Sequence, residues 1–215
     1  MDRKPFTALL VALIVLGVGA TWYQLSRSPR INMDPYQALG EISGEEVSKL
    51  LHHQGRIVLV RDDPNGEKDP VLDAQLAAFR SSLKRKGKVS IDVVENVKMD
   101  PFTRMGTGGA VPGNVLMAIR AKHTEAKALV LFMPFPPLPE SEVASLRGSK
   151  TRTVVISAAT PGYREMLRSG AIDLAILPRP ATDEKAGTKP PGSTRERFDQ
   201  EYQIVTPDKA DQVPF

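Results

Sequence analysis

A three-layer, doubly wound α/β domain with a mainly parallel, five-stranded sheet, preceded by one transmembrane helix, is the fold class this sequence predicts. Three observations carry it. Short β-branched runs recur five times between residues 56 and 177, separated by stretches with helical spacing. Glycines follow several of those stretches, where helices commonly stop. An uncharged apolar run lies between Lys4 and Arg27. Strand–helix alternation of this kind leads to parallel strands joined by right-handed crossovers, with helices on both faces.

The N-terminal run, Phe6 to Leu25, has the length of roughly 20 apolar residues that spans a hydrocarbon core. Trp22 and Tyr23 stand at one end, where amphipathic rings favour the headgroup region. A cleaved signal peptide is the rival reading, with Met1–Lys4 as n-region, Ala8–Gly17 as h-region and Val18-Gly19-Ala20 as cleavage site. The apolar length and the Trp22-Tyr23 pair favour an anchor over residues 1–27. Arg3 and Lys4 are balanced by Arg27 and Arg30, so the charge rule for orientation is nearly neutral. The short N-terminus and long C-terminal part favour N-in, C-out. The expected place is a bacterial inner membrane, crossed once, with a periplasmic domain.

Residues 28–42 read as a polar stalk. Ser43-Gly44-Glu45-Glu46 reads as a capping box opening the domain, 43–180. Val47, Leu50 and Leu51 give that helix an apolar face, and Gly55 ends it. Arg56–Val60 is a β-branched run suited to a strand buried on both faces. Val71–Lys86 is a helix with Leu72, Leu76, Phe79 and Leu83 on one stripe. Val89–Val94 alternates as a second strand. A Gly106-Thr107-Gly108-Gly109 loop leads to a helix carrying Val115, Leu116 and Ile119. Ala128–Phe132 is the third strand, Pro139–Arg147 a short helix and Thr153–Ser157 the fourth strand. Thr160-Pro161 starts a helix with Met166 and Leu167, and Ile172–Leu177 is the fifth strand. The favoured order is the flavodoxin-like 2-1-3-4-5. Residues 181–194, rich in Pro, Gly, Lys and Thr, read as a flexible linker. Residues 195–206 regain Phe198, Tyr202, Ile204 and Val205 and read as a docking segment. Residues 207–215 are expected to fray.

The net charge of +4 and pI near 9.3 are mildly basic. The densest cluster, Arg80, Lys84, Arg85, Lys86 and Lys88, suits the last turn of a helix. It is not interleaved with aromatics, which argues against nucleic acid. There is no cysteine, so metal sites of familiar spacing are excluded. The adjacent His52 and His53 read as exposed helix residues pointing about 100° apart. No Gly-x-Ser-x-Gly elbow surrounds a serine, and no constellation of nucleophile, base and orienting acid can be assembled. No metal or other cofactor is expected.

In a doubly wound sheet, ligands bind beyond the carboxyl ends of the strands. Those ends hold Asp62 and Asp63, Pro134 and Phe135, Ser157, and Arg179. Asp62, Asp63, Ser157 and Arg179 are therefore the candidate ligand-binding residues. The paired acids, the hydroxyl and the base resemble the layout of a response-regulator receiver, with Arg179 in place of its lysine. However, Phe132-Met133-Pro134 stands where its phosphoacceptor aspartate belongs, so no phosphoryl group can be taken up. Gly106–Gly109 could cradle an anion, but it is neither a Walker loop nor a dinucleotide fingerprint. Met133–Pro139 is stiff, polyproline-like backbone, with Phe135 and Leu138 as a candidate partner-docking rim.

Arg56–Val60, its polar loop and Val71–Gly87 resemble the first βαβ unit of a type I periplasmic binding protein lobe. Gly170–Leu177, a glycine and then an aspartate entering a late strand, is similar to that fold as well. The resemblance implies a solute-binding scaffold in which two lobes clamp a sugar or amino acid. This chain has the length of one lobe, hence half a cleft. Its layout is also similar to uncharacterised bacterial membrane-anchored proteins. Two functions are expected from different classes. One is a non-catalytic, membrane-anchored extracytoplasmic module that binds another membrane or periplasmic protein as an interaction or scaffold subunit. The other is a small-molecule-sensing half-lobe.

Overall fold

The first helix among the described residues, α1, spans Asp34–Leu50, with Pro35 in its first turn and Asp34 supplying an acidic start. Its end is set by Leu51, His52 and His53, the two histidines adopting φ of 51° and 63°. These residues form a turn outside the helix. The His53 Nδ1–H donates to the Lys86 carbonyl at 2.8 Å. β1 follows (Gln54–Asp63), then α2 (Pro70–Lys86), where the Asp69 carboxylate accepts from the N–H groups of Val71 and Leu72. β2 is Lys88–Lys98. α3 (Pro101–Thr107) is capped by Asp100 and closed by Gly108 at φ 60°. α4 (Gly113–Lys122), β3 (Ala128–Phe132), α5 (Glu140–Leu146), β4 (Arg152–Ile156), α6 (Tyr163–Arg168) and β5 (Leu174–Pro178) complete the alternation. α7 (Thr194–Glu201) starts from a capping box between Ser193 and Glu196. β6 (Tyr202–Val205) and a 3-10 helix (Pro207–Gln212) end the fold. This computed structural model describes residues 31–63, 68–157, 162–180 and 192–213.

The sheet order is β2-β1-β3-β4-β5-β6. β1 to β5 are parallel and follow the expected order. β6 pairs antiparallel with β5, Ile176 opposite Ile204. The sheet therefore has six strands, not five. β6 is four residues long, and only Ile204 and Val205 are aliphatic, so its pairing partner is invisible in its own residues.

Two apolar layers sandwich the sheet. Ile57, Leu59, Val130 and Ile156 face α1, α2 and α7 through Ile42, Val47, Phe79, Leu83 and Phe198. Val58, Val60, Leu129 and Val155 face α4, α5, α6 and the 3-10 helix through Leu116, Leu146, Leu167 and Val213. Successive strand residues alternate between the layers, as the pleat requires. α3 contributes no buried residue to either.

Two expected boundaries move. The stalk 28–42 ends inside α1, and Ser43 is fully buried in the middle of that helix rather than at its cap. The Ser-x-x-Glu spacing at 43–46 is a coincidence. Ala38, Leu39 and Ile42 already continue the apolar stripe upstream of it, as a helix interior demands. Residues after Pro207 do not fray over their described part. Ala210 and Val213 are buried, and the Val213 carbonyl accepts from Arg164.

α1 runs opposite to the parallel strands. Tyr36 and Leu39, near its start, lie with Asp62, Ser157 and Pro178 at the carboxyl ends. Leu50 and Leu51 lie with Gly55, Lys127 and Arg152 at the amino ends. Met33–Phe215 is one unit and Met1–Asn32 another. The expected anchor, Phe6–Leu25, lies outside the described residues. Among the described residues no helix is long and apolar enough to cross a membrane.

Candidate ligand cleft

A cleft of about 420 Å³ opens at the carboxyl ends of β1, β3, β4 and β5. Its floor is apolar, formed where Phe132, Ile156 and Ile176 leave the sheet, with Leu72 of α2 beside them. Polar groups enter from several elements. α1 brings Tyr36, α2 brings Gln75, β6 brings Tyr202, and Asp62 and Ser157 come from strand ends. Local sequence explains the placement of Gln75. Asp69 and Pro70 start α2 at the rim, so its first turns, with Leu72 and Gln75, overhang the floor.

Of the four candidate residues, Asp62 and Ser157 meet in this cleft. The Asp62 carboxylate is held by the Arg104 guanidinium of α3 through two nitrogens, Nη2 at 2.9 Å from Oδ1. This bidentate pair fixes α3 to the end of β1. The Ser157 hydroxyl lies 3.4 Å from the Tyr163 hydroxyl. Asp63 and Arg179 do not line the cleft. Asp63 follows Asp62 on the strand, so it points to the other face, and its carboxylate is 4.0 Å from Lys98. Arg179 is turned to the sheet edge, its Nε donating to the Tyr202 carbonyl at 2.9 Å and its N–H to Glu201 at 2.8 Å.

The docking rim is also revised. Phe135 is buried, and its N–H donates to the Tyr163 hydroxyl at 2.6 Å. Leu138 is half-buried and packs against Gly113, where an added Cβ would be 3.0 Å away. Gly106 and Thr107 belong to α3. The N–H groups of Gly108 and Gly109 donate to Met105 and Arg104 carbonyls at 3.4 and 2.9 Å. Those amides close a helix and are not aimed at an anion. Among the described residues, no three His, Cys, Asp or Glu side chains are grouped to hold a metal ion.

Tyr36, Gln75 and Tyr202 were not among the candidates. Gln75 carried a signal: it is a polar residue on the Leu72–Phe79 stripe of α2, where burial without a purpose is costly. Tyr202 is pushed up to about 12 by burial, with Tyr36 and Glu201 adding to the shift. It therefore stays a neutral phenol, able to donate and accept, at any physiological pH.

No family model and no curated protein matches this sequence. Solved structures do resemble it. AraP, an arabinose binding protein from Geobacillus stearothermophilus, matches with TM-score 0.54 at 13% identity over 82% of this chain and 62% of that one. A solute binding protein from Burkholderia graminis, in complex with D-arabinose, matches with TM-score 0.53 at 12% identity over 83% and 61%. XylFII in its complex with LytSN matches with TM-score 0.52 at 11% identity over 81% and 60%. The likeness is one of fold, to sugar-binding periplasmic proteins of ABC transporters, consistent with the expected lobe of the type I periplasmic binding protein fold. The chain spans less than two thirds of the length of these proteins.

Proposed function

We propose that this domain is a small-molecule-binding lobe of periplasmic-binding-protein type, held at the outer face of a membrane by Phe6–Leu25. Its ligand would be a small polyhydroxylated molecule. The single observation that carries the reading is the convergence in one cleft of Gln75, Ser157, Tyr36 and Tyr202 over an apolar floor. Hydroxyl, amide and neutral phenol groups can all donate and accept, which suits a ligand presenting many hydroxyls. The floor suits its carbon–hydrogen faces. Asp62, neutralised by Arg104, adds an acceptor without a net charge. The fold likeness to sugar-binding proteins supports the same class.

The cleft is open on one side, so a second surface has to complete it for tight capture. The test is thermal unfolding of the isolated 33–215 domain across a panel of pentoses and hexoses. A ligand at a hundred times its Kd stabilises the native state by about 2.7 kcal/mol. The expected result is a rise in Tm with one sugar class, lost in Gln75→Ala and Ser157→Ala. A flat profile across the panel overturns the reading.

A second reading, an interaction subunit of a membrane-associated assembly, is supported by the XylFII–LytSN neighbour, in which this fold is paired with another protein. Crosslinking in native membranes followed by mass spectrometry would test it. An absence of co-purified chains counts against it.

A further inference from the structure

α3 is a short helix that buries nothing, yet it is firmly built. Asp100 accepts from the N–H groups of Phe102 and Thr103 and from the Thr103 hydroxyl. Gly108 and Gly109 close the other end. Arg104 fastens the middle to Asp62. This rigid mount presents Phe102 and Met105, 82% and 77% exposed, to solvent. At i and i+3 they are neighbours on one side of the helix. Among the described residues from Met33 onward they are the large apolar side chains left exposed. Lys98, with a side chain 76% exposed, stands just before them in the chain.

The location is as informative as the exposure. α3 lies at the carboxyl ends of the strands, joined to β1 by Arg104 and returning to β3 where the Val111 N–H donates to the Pro134 carbonyl. α1 begins at this same end. The eight steps from Leu25 to Met33 reach at most about 29 Å even when fully extended. If Phe6–Leu25 spans a bilayer, the end of the domain carrying α3 is the end leashed to it.

We propose that Phe102 and Met105 insert into the interfacial layer of the bilayer that holds this chain's own anchor. The domain would then touch the membrane through α3. Two aromatic or thioether side chains beside a lysine are the composition of an interfacial contact. They cover far less than the roughly 800 Å² per partner of a stable protein interface, which disfavours a second copy as occupant. The inference rests on the anchor proposed above and not on the identity of any ligand.

The chain has no cysteine, so single reporters are clean. Full-length chains carrying Phe102→Cys, Met105→Cys or, at the opposite end, Lys150→Cys would be labelled with an environment-sensitive fluorophore. They would be reconstituted in phosphatidylcholine–phosphatidylglycerol vesicles containing doxyl-labelled lipid. Retention of the chain on vesicles after an alkaline wash reports the anchor. The expected result is retention, with quenching at 102 and 105 several-fold stronger than at 150. Retention with equal quenching at all three sites overturns the membrane contact and leaves the anchor standing. Shielding of 102 and 105 from aqueous iodide without lipid quenching also overturns it, in favour of a protein occupant. Loss of the chain in the wash overturns both anchor and contact, while the sugar-dependent melting of the domain tests the cleft separately.

Discussion

Gly40 lies against the main-chain carbonyl of Gln75: a Cβ built on the glycine would be 2.0 Å from that oxygen. Four residues on, a Cβ at Gly44 would be 2.7 Å from the Phe79 carbonyl and 2.8 Å from the Ser82 Cβ. The two glycines form a smooth strip along α1 on which α2 rides backbone to backbone. Gly40→Ala is therefore expected to lower stability by about 1–3 kcal/mol through forced separation of the helices. Gly106→Ala, with nothing within 4 Å of the new Cβ, should be neutral or gain up to about 1 kcal/mol from helix propensity. Urea midpoints of the two variants check this, and equal midpoints would refute it.

The Tyr163 hydroxyl accepts the Phe135 N–H inside the protein. Tyr163→Phe leaves that amide buried without its partner, at a cost of about 1–3 kcal/mol. A urea midpoint indistinguishable from the parent would show that the bond contributes nothing net.

Phe198 of α7 is fully buried against the α1 face of the sheet. Its ring is 5.7 Å from that of Tyr202, and the Arg195 guanidinium lies 5.6 Å from its centroid. Phe198→Ala is expected to cost about 3–5 kcal/mol and to loosen β6 with it. Hydrogen exchange of the Ile204 amide, compared before and after substitution, reads the second effect. Unchanged protection would mean that β6 is held independently of α7.

Glu95 accepts from Lys122 Nζ at 2.8 Å and His123 Nε2 at 2.6 Å. The Lys122 hydrogen bond, then that of His123, holds its carboxyl below the ordinary 4.5. A depressed folded-state value means stability that is fully present above 4.5 and is lost as pH falls through the lowered value. The stability gap between the parent and Glu95→Gln should thus be open at neutral pH and close below 4.5. It should also narrow with salt, because Lys122 is largely exposed. A gap independent of pH would sink the assignment.

The parallel core was legible because each of its strands is a self-contained apolar run, and Asp62 and Ser157 were legible because they end such runs. The start of α1 was not, since Ser43 and Glu46 carry the spacing of a cap that Ser193 and Glu196 actually form. The difference lies upstream: apolar Leu39 and Ile42 continue a helix before one, whereas Gly192, with no side chain to bury, stands before the other. The antiparallel β6, and with it Tyr202 at the cleft, depends on a long-range pairing with β5 that no local pattern encodes. Tyr36 and Gln75 reach the cleft only because α1 and α2 pack closely at Gly40 and Gly44. Asp63 and Arg179 were drawn in by position along the chain alone, which does not register the direction of a side chain.

The sheet is open, with β6 at one border and β2 at the other. There the register with β1 slips between Ile57 and Val58, leaving Asp92 as the extra residue, and exposed Lys88 and Lys98 stand at the two ends. A charged bulge between two cations is a poor template for another strand. Copies of this chain crowded together on a surface or in an overproducing cell should not pair with one another through β2. Removing Asp92 is the change that would put that restraint at risk.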